Sequence, residues 1–533
     1  MKISVYVVLI IALGLLVYAN SLGGKFIMDD VCLIEDNAYI KNWSNILDIF
    51  TKNIVKDTLK TYLFYRPAQL VTYMADYSIW KLNTAGYHIT NIGLHILTAL
   101  AAFCLINLLF GDRFLSFLTG LFFVVHPIHT EAVSYISGRA DILAAFFMLM
   151  CFIFYTLGHK SKNKIFYIFV LLSYAAALLS RENSLILPAI LLLYHYIFKK
   201  GFKIVLFFSP VILAGLYILA RCMLLKHLLP QPEVANTIWQ RMPGFFIAIT
   251  DYTRLLLLPL NLHMLYGNKL FNWTDPKALS GLLMFISLVI YALRAKKSNG
   301  LISFSILWFF ITLLPLSNLY PIDAYMAEHW LYLPSMGFFL ILAKLLSSLY
   351  RKRHFRSISV IFIAGLLSFY SYLTVKQNNY WKDPITFYER TLKYSPDSPG
   401  MFNNLGVAYQ KAGNPEKAIA AYKKTIEINP KYTDAYNNLG VAYCSIGREE
   451  DAIGMFKKAI ETDWSNSDAH HNLGRAYSLQ GRYEDAIQSF KNAIAINPRH
   501  VKAHRDLGLA YYKVGKTEEA VIHSNKAKEL AIY

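Results

Sequence analysis

Two adjacent aspartates, Asp29 and Asp30, follow the first apolar segment of the chain, within the stretch GGKFIMDDVCLIEDNAYI. A carboxylate beside a membrane can serve as a general base, which takes a proton from an attacking group. The same acidic pair is also compatible with a solvated loop that does no chemistry. The residues that gather around the pair decide between these two interpretations.

Further ionisable and polar residues are predicted at the outer ends of apolar helices. They are Arg66 in YRPAQ, His88, Asn91 and His95 in GYHITNIGLH, His126, His129, Glu131, Arg139 and Asp141 in HPIHTEAVSYISGRADIL, Arg181 and Glu182 in SREN, and Glu328 and His329 in AEHWLYLPS. Charged groups near membrane depth are costly unless they are paired or face water, so such a collection indicates a functional site. The alternative for part of the set is structural ion pairing, for example between Glu131 and Arg139 across a turn.

Common nucleotide and metal motifs are absent from the sequence. It contains no P-loop, no strand-linked GxGxxG, no GxSxG and no HExxH, which argues against nucleotide hydrolysis, hydride transfer and zinc proteolysis. A reaction that needs a carboxylate base, cations for a phosphate and a membrane-borne substrate fits the residues that are present. No metal-ligand cluster stands out and no cofactor is assigned, so a requirement for a divalent cation is left open.

The composition is that of a membrane protein. Of 533 residues, 55% are hydrophobic and 15% aromatic, and the mean hydropathy is +0.35, above the apolar content of an ordinary soluble domain. The net charge is +19. Basic residues exceed acidic residues by 16 in residues 1–380 and by 3 in the remainder of the chain. Cytoplasmic loops of membrane proteins are rich in Lys and Arg for insertion reasons, so no nucleic-acid partner is needed to explain the charge.

Eleven apolar runs are predicted to cross the membrane as helices. They begin at the N-terminal run ISVYVVLIIALGLLVYA and continue at residues 88–110, 114–130, 141–157, 165–180, 184–198, 203–220, 277–294, 300–318, 331–350 and 357–375. The segments GHKSKNK, KKGFK, RAKKSNG and RKRHFR hold thirteen Lys and Arg and no acidic residue, so they are predicted to be cytoplasmic. This topology holds only if residues 243–260, with Asp251 and Arg254, form an interfacial or re-entrant helix. The acidic first loop and the C-terminal part then lie on the non-cytoplasmic side.

The C-terminal part is a repeat array. NNLGVAYQKAG, NNLGVAYCSIG, HNLGRAYSLQG and RDLGLAYYKVG start 34 residues apart, at Asn403, Asn437, His471 and Arg505, which is the tetratricopeptide period. The predicted domains are a membrane domain at 1–376, a degenerate half repeat or linker at 377–398, and repeats at 399–432, 433–466, 467–500 and 501–533. Stacked repeats create a concave surface suited to an extended peptide or a partner protein. The alternative is a rigid spacer without a ligand.

The stretches MDDVCLIEDNAYI, YRPAQLVTY, GYHITNIGLHILTAL, HPIHTEAVSYISGRADILAAFF and EHWLYLPSMGF, followed by tetratricopeptide repeats, resemble TMTC-type (transmembrane and tetratricopeptide repeat containing) proteins. These are similar to the GT-C superfamily of membrane glycosyltransferases, which includes the protein O-mannosyltransferases. The resemblance implies an all-α fold with a GT-C-like polytopic helical domain of about eleven helices and a repeat solenoid. It also implies a polyprenyl-phosphate sugar donor on the outer or lumenal face and an acidic base in the first external loop.

By position, the acidic pair of that loop falls on Asp29 and Asp30, with Asp29 matching the leading aspartate. For the donor phosphate we assign Arg139 and Arg181, with His126 and His129 next. Supporting residues of the substrate site are Arg66, His88, Asn91, Glu131, Asp141, Glu328 and His329. The sequence departs from the family pattern at His329, where the family tends to have Arg, and at Arg181, where it tends to have Lys.

The predicted function is therefore transfer of a sugar, mannose or another hexose, from a polyprenyl-phosphate carrier to Ser or Thr of a protein acceptor that the repeats present. The alternative is a non-catalytic membrane scaffold that recruits partner proteins through the array. The predicted partners are a lipid-linked sugar, a protein or peptide acceptor and the membrane. Compact loops and the lack of a retention signal favour a bacterial inner membrane over the endoplasmic reticulum, with the repeats on the periplasmic or lumenal side.

Overall fold

The computed structural model describes residues 2–52, 65–161, 163–225, 236–267, 269–322 and 324–532. The chain divides into two compact units, Met1–Asp383 and Pro384–Tyr533. Within the described ranges every regular element is a helix. The predicted all-α class, a multi-pass membrane part followed by tetratricopeptide repeats, is confirmed.

The first unit is a bundle of mostly apolar helices. In its described parts the α-helices are α1 (Ile3–Tyr18), α2 (Ile46–Thr51), α3 (Pro67–Trp80), α4 (Thr84–Phe110), α5 (Arg113–Val125), α6 (Thr130–Ser134), α7 (Arg139–Lys160), α8 (Ile165–Ser180), α9 (Leu187–Phe198), α10 (Ile204–Leu225), α11 (Ile238–Leu257), α12 (Pro276–Ala295), α13 (Gly300–Leu313), α14 (Ser335–Arg351) and α15 (Arg356–Asn378). Short 3-10 turns at Pro127–His129, Ile136–Gly138 and Glu182–Ile186 lie between them.

Six helical segments in the described ranges are long and apolar enough to cross a membrane: Ile3–Gly23, Thr84–Phe110, Ile136–Lys160, Ile204–Leu225, Pro276–Ala295 and Arg353–Trp381. Shorter apolar helices cover Arg113–Val125, Ile165–Ser180, Glu182–Phe198 and Gly300–Leu316. The remaining run, 331–350, is covered mostly by α14. Each of the eleven predicted runs is thus largely helical, whereas the number that cross stays a prediction. The segment 243–260 forms most of α11, which packs against α12.

Polar residues at the loop ends fix where the apolar helices begin. The side chains of Asn83, Asp112, Asp275 and Asn299 each accept a hydrogen bond from a backbone N–H in the first turn of α4, α5, α12 and α13. Such caps satisfy amide groups that have no partner within the helix. The apolar faces between the caps then form the main buried core of the first unit, and a smaller core lies beside the acidic loop.

The second unit repeats a pair of helices. It contains α16 (Pro384–Tyr394), α17 (Pro399–Lys411), α18 (Pro415–Ile428), α19 (Thr433–Ser445), α20 (Glu449–Thr462), α21 (Ser467–Leu479), α22 (Tyr483–Ile496), α23 (Val501–Lys513) and α24 (Thr517–Ile532). The first helix of each repeat is followed, two residues after its end, by a glycine with positive φ: Gly413, Gly447, Gly481 and Gly515. This left-handed conformation is accessible to glycine without steric cost and closes a helix.

A polar ladder joins consecutive repeats at partly buried positions. Asn438 Nδ2 donates to Asn403 Oδ1 (3.1 Å), and Asn472 Nδ2 donates to Asn437 Oδ1 (3.0 Å). At the last junction a histidine–aspartate pair replaces the two amides, because His471 Nε2 lies 2.9 Å from Asp506 Oδ2. Each contact joins two residues that are 35 positions apart, one more than the repeat length. These contacts fix how each repeat aligns with the next.

Candidate functional site

The loop that follows α1 separates its two neighbouring aspartates. Asp30 is buried: its Oδ1 accepts hydrogen bonds from the backbone N–H (2.8 Å) and the hydroxyl (2.5 Å) of Ser137, and its Oδ2 accepts one from Ile27 N–H (3.0 Å). Asp29 is exposed, and its backbone N–H donates to Tyr135 Oη (3.2 Å). Asp30 therefore anchors the loop, whereas Asp29 is open to a substrate.

The protein environment raises the pKa of both carboxyl groups. Burial raises the pKa of Asp30 to about 7, although the bonds from Ser137 and Ile27 oppose this effect. Water reaches Asp29 on one side, but protein atoms surround it on the others, and this desolvation raises its pKa against the opposing effects of Tyr135 and Arg66. A carboxylate with a raised pKa is a better proton acceptor than an ordinary one.

Three arginines from distant parts of the chain meet around Glu182. Arg66 Nη2 lies 3.2 Å from Glu182 Oε1, and Arg221 Nη1 lies 3.9 Å from Glu182 Oε2. Arg181 directly precedes Glu182 in the extended link between α8 and α9. The side chains of Arg66 and Arg181 are 21% and 12% exposed, against 1% for Arg221, so the first two are the cations that a ligand can reach. We call Arg66, Arg181 and Arg221 the arginine cluster.

A hydrogen-bonded chain extends from the arginine cluster to the segment before α14. Arg181 forms an ion pair with Asp141, and its Nη2 lies 3.3 Å from His329 Nε2. His329 Nδ1 lies 2.7 Å from Glu131 Oε1, and His329 N–H donates to Glu131 Oε2 (2.9 Å). A guanidinium has only donors, so His329 Nε2 is the acceptor and the ring proton lies on Nδ1. His329 thereby orients Arg181 while the buried carboxylate of Glu131 orients His329.

Arg66 relates the acidic loop to the arginine cluster. Together with the hydrogen bond to Tyr135, its positive charge opposes the rise in the pKa of Asp29 that desolvation causes. A small cavity adjoins the cluster at Asp141 and His329. Its other lining is largely apolar and includes Ala144, Ala145, Met148, Ile186, Leu316 and Leu333. The arrangement combines an accessible base, cations for an anion and an apolar recess.

Arg139 lies outside this site, contrary to the phosphate-binding role assigned from the sequence. It is fully buried, with Nη1 2.6 Å from Asp76 Oδ2 and Nε 2.6 Å from Asn91 Oδ1, and its Nη2 donates to Tyr87 O (3.0 Å). Protein groups use these guanidinium donors, so Arg139 stabilises the fold. The suggested pairing of Arg139 with Glu131 is also wrong, because Glu131 bonds to His329.

His126 and His129 are likewise part of the core and not of a phosphate site. Both are fully buried. His126 Nε2 lies 3.1 Å from Leu256 O, and its Nδ1 accepts from a backbone N–H at the start of the following turn. His129 Nδ1 lies 2.8 Å from Phe123 O and its Nε2 lies 3.0 Å from Ser335 Oγ. With both ring nitrogens used internally, neither histidine can bind an anion in this structure.

The remaining predicted residues are buried and hold the loops next to the site in place. Asn91 Nδ2 lies within 3.4 Å of the carbonyl oxygens of Val133, Tyr135 and Ile136 and so holds the segment that carries Tyr135. His88 is buried beside the backbone of Gly24. Glu328 is buried and accepts from Tyr266 Oη (2.6 Å). These contacts position loops and leave substrate binding to the exposed groups.

Several residues of the site were missed or underrated from the sequence. Arg221, an arginine inside the apolar run LYILARCMLL, carried a usable signal, since a lone charge in such a run is costly without a partner. Tyr135 and Ser137 lie in a stretch already singled out, but no pattern indicates that they contact the first loop. Across the described ranges, no group of three or more His, Cys, Asp or Glu side chains is arranged to hold a metal ion.

Comparison with known proteins gives matches for both units. Family models of the tetratricopeptide repeat match residues 401–432, 421–454, 455–488 and 474–515. The protein O-mannosyl-transferase F38B6.6 of Caenorhabditis elegans is 27% identical over 421 residues, which covers 75% of this chain and 59% of that protein. Human protein O-mannosyl-transferase TMTC3 is 25% identical over 78% of this chain and 50% of its own length.

Human protein O-mannosyl-transferase TMTC1 is 32% identical over a shorter stretch, 34% of this chain and 22% of its own length. A crystal structure of MamA is 32% identical and covers 28% of this chain and 86% of MamA, with a TM-score of 0.26. The chain spans 59% and 50% of the length of the first two curated relatives. The resemblance seen in the sequence is confirmed: this chain is similar to the TMTC proteins over about three quarters of its length and carries tetratricopeptide repeats.

Proposed function

We propose that this protein is an integral-membrane glycosyltransferase. It moves mannose or another hexose from a polyprenyl-phosphate carrier to a Ser or Thr hydroxyl of a protein acceptor, which the repeats present. The observation that carries the proposal is an exposed carboxylate, Asp29, on a loop that Asp30 anchors to Ser137, in the same unit as the partly exposed guanidinium groups of Arg66 and Arg181. The names of the relatives, all protein O-mannosyl-transferases, support a sugar and a protein as the two substrates.

Asp29 is the base of the proposed reaction. It accepts the proton of the acceptor hydroxyl while the hydroxyl oxygen forms a bond to the anomeric carbon. The bond from that carbon to the phosphate oxygen breaks, and the phosphate leaves with the electron pair. The sugar has oxocarbenium character between these events, as in glycoside hydrolysis.

The arginine cluster stabilises the leaving phosphate. Charge builds on the phosphate oxygens as the sugar departs, and guanidinium donors in a site poor in water lower the energy of that state. Arg66 and Arg181 are the partly exposed members and make this contact. His329 and Asp141 hold Arg181 in place.

The apolar recess beside Asp141 and His329 has a volume of about 20 Å³, which is room for about one water molecule. It therefore adjoins the proposed phosphate position but does not hold the polyprenyl chain.

The proposal places this site and the repeats on the non-cytoplasmic face. Support comes from the basic segments, which are expected in the cytoplasm. We keep a bacterial inner membrane as the proposed compartment on the strength of the compact loops, although the relatives named above are animal proteins. Labelling of single cysteines at positions 29 and 297 in intact cells tests the orientation, since only position 29 should react with an impermeant reagent.

The function is tested with Asp29→Asn, because an amide cannot accept the hydroxyl proton. We expect loss of sugar transfer by at least about a hundredfold, as is typical for removal of a general base, with membrane insertion unchanged. Asp36→Asn is the matched control, an exposed carboxylate of the same loop. Intact-mass analysis of proteins from a deletion strain, complemented with each variant, detects the missing hexose.

A second readout uses pH. A protonated Asp29 cannot act as a base, so kcat/KM should fall as the pH drops through its raised pKa, above the value of about 3.9 for free aspartate. Unchanged transfer in Asp29→Asn, or no hexose difference in the deletion strain, would refute the enzyme and favour a scaffold that recruits partners.

A further inference from the structure

A cavity of about 390 Å³ lies on the repeat unit, between α21 of the third repeat and α23 of the fourth. Its size falls in the range of roughly 300–1,000 Å³ found for ligand sites. Solenoid repeats bind partners on surfaces that neighbouring repeats share. The cavity is lined by charged and exposed apolar side chains that the packing of the repeats does not require.

Positive charge predominates in the cavity. Arg475, Arg505 and Lys513 line it together with one carboxylate, Asp506. Asp506 is already neutralised, because its Oδ1 accepts from Arg505 Nε (2.9 Å) and its Oδ2 lies 2.9 Å from His471 Nε2. Arg475 and Lys513 are exposed and have no ion-pair partner in the described part of the chain. Two cations therefore remain available to an acidic ligand.

Apolar side chains lie next to these cations. Leu479 and Leu509 are 65% and 59% exposed, and both line the cavity. Covering a leucine removes it from water and is worth about 1.5–3 kcal/mol when burial is complete. A ligand that places an apolar side chain on the leucines and carboxylates on the cations would satisfy both features.

The repeat architecture itself does not require this combination. The second repeat has Val441 at the position equivalent to Arg475, and Asn437 at the position equivalent to Arg505. That repeat forms its helices and its inter-repeat hydrogen bonds without the two arginines. The basic and apolar cavity is thus a property of the last two repeats.

We propose that this cavity binds an extended acidic peptide segment that also carries an apolar residue. Arg475 recognises a carboxylate with paired guanidinium donors, and Lys513 contributes a second charge. Leu479 and Leu509 form the apolar contact. The peptide-binding site does not depend on sugar transfer. Only the idea that the bound peptide belongs to the sugar acceptor rests on the proposed function.

The test measures binding directly with the full-length chain in detergent micelles. The probe is a fluorescein-labelled octapeptide of alternating aspartate and leucine, followed by fluorescence anisotropy. We expect saturable binding that weakens as salt rises from about 0.05 to about 0.3 M, since screening reduces contacts between exposed charges. An octapeptide of alternating asparagine and leucine should bind at least tenfold more weakly.

Charge reversal locates the site. Arg475→Glu combined with Lys513→Glu should weaken binding at least tenfold. The matched control combines Lys457→Glu with Arg499→Glu, which makes the same change in net charge at exposed positions outside the cavity. This control should alter the affinity for the peptide less than twofold. Leu509→Ser, a single exposed change, should weaken binding threefold or more. Thermal unfolding of each variant confirms that the repeats stay folded.

Equal losses in the two charge-reversed proteins, or equal binding of the asparagine and aspartate peptides, would overturn the inference. The Asp29→Asn protein separates it from the proposed function. That variant should bind the peptide with unchanged affinity even though transfer is lost. If sugar transfer fails in the unmodified protein while peptide binding persists, the proposed function is refuted and the binding site stands.

Discussion

Asp29 and Asp30 are neighbours in sequence but differ in their contacts, and this difference makes them sensitive to substitution in different ways. Asp29 faces solvent and contributes to the site through its charge. Asp30 accepts three hydrogen bonds within the protein. A change at Asp29 should therefore affect chemistry, whereas a change at Asp30 should affect stability and the shape of the loop.

Asp30→Ala tests the anchoring role. The substitution leaves the N–H groups of Ile27 and Ser137 buried without an acceptor, and each unsatisfied group costs about 1–3 kcal/mol. We expect the free energy of unfolding of the membrane unit to fall by roughly 2–6 kcal/mol, read as a lower Tm in detergent. Asp36→Ala, in the exposed part of the same loop, should leave the Tm unchanged. Equal Tm values for the two variants would contradict the anchoring role.

At the scale of elements, the short turn Ile136–Gly138 connects the acidic loop with the start of α7. Ser137 binds Asp30, and Tyr135 just before the turn contacts Asp29. The turn packs closely on α6, because a Cβ added to Gly138 would lie 2.6 Å from Ala132 O and 2.7 Å from Glu131 O. The glycine is needed here for close packing of backbone on backbone.

Gly138→Ala should shift this turn and disturb the site with it. Overpacking of a tight contact costs about 1–3 kcal/mol, so we expect that loss in stability together with reduced sugar transfer. Gly93→Ala is the control, since a Cβ at Gly93 in α4 would meet no atom within 4 Å. Differential scanning fluorimetry and the transfer assay measure both effects. A Gly138→Ala protein as stable and active as Gly93→Ala would show that the turn tolerates a side chain.

At the scale of the whole molecule, the two compact units have separate hydrophobic cores. The proposed chemistry belongs to residues of the first unit, and the proposed peptide site to residues of the second. Separate cores allow each unit to be stable by itself.

Deletion of Pro384–Tyr533 should then leave a folded membrane unit that binds the lipid-linked sugar but transfers it poorly to protein. Photo-crosslinking with a polyprenyl-phosphate analogue measures donor binding, and intact-mass analysis of candidate acceptors measures transfer. The matched control is the full chain with the doubly charge-reversed cavity, which should also bind donor normally. Loss of donor binding on deletion would show that the units depend on each other.

The sequence by itself determined the helical class, the apolar runs and the four tetratricopeptide repeats. These features follow from local patterns, namely apolar length and a 34-residue period, which need no knowledge of distant contacts. The resemblance to TMTC proteins also came from contiguous motifs, and the comparisons confirm it. Arg181 and His329 were recognised as candidates because charges near membrane depth are costly. Asp29 was recognised by its place after the first apolar run and by the resemblance.

Only the tertiary structure decided which ionisable residues meet. Arg139 forms an ion pair with Asp76, 63 positions away, and is buried in the core. Arg66 and Arg221 come from two other segments and contact Glu182. No local pattern encodes such contacts, because they depend on how helices pack against one another. The same reason explains why two adjacent aspartates differ: one residue of the loop reaches Ser137 across the fold, and its neighbour is left to the solvent.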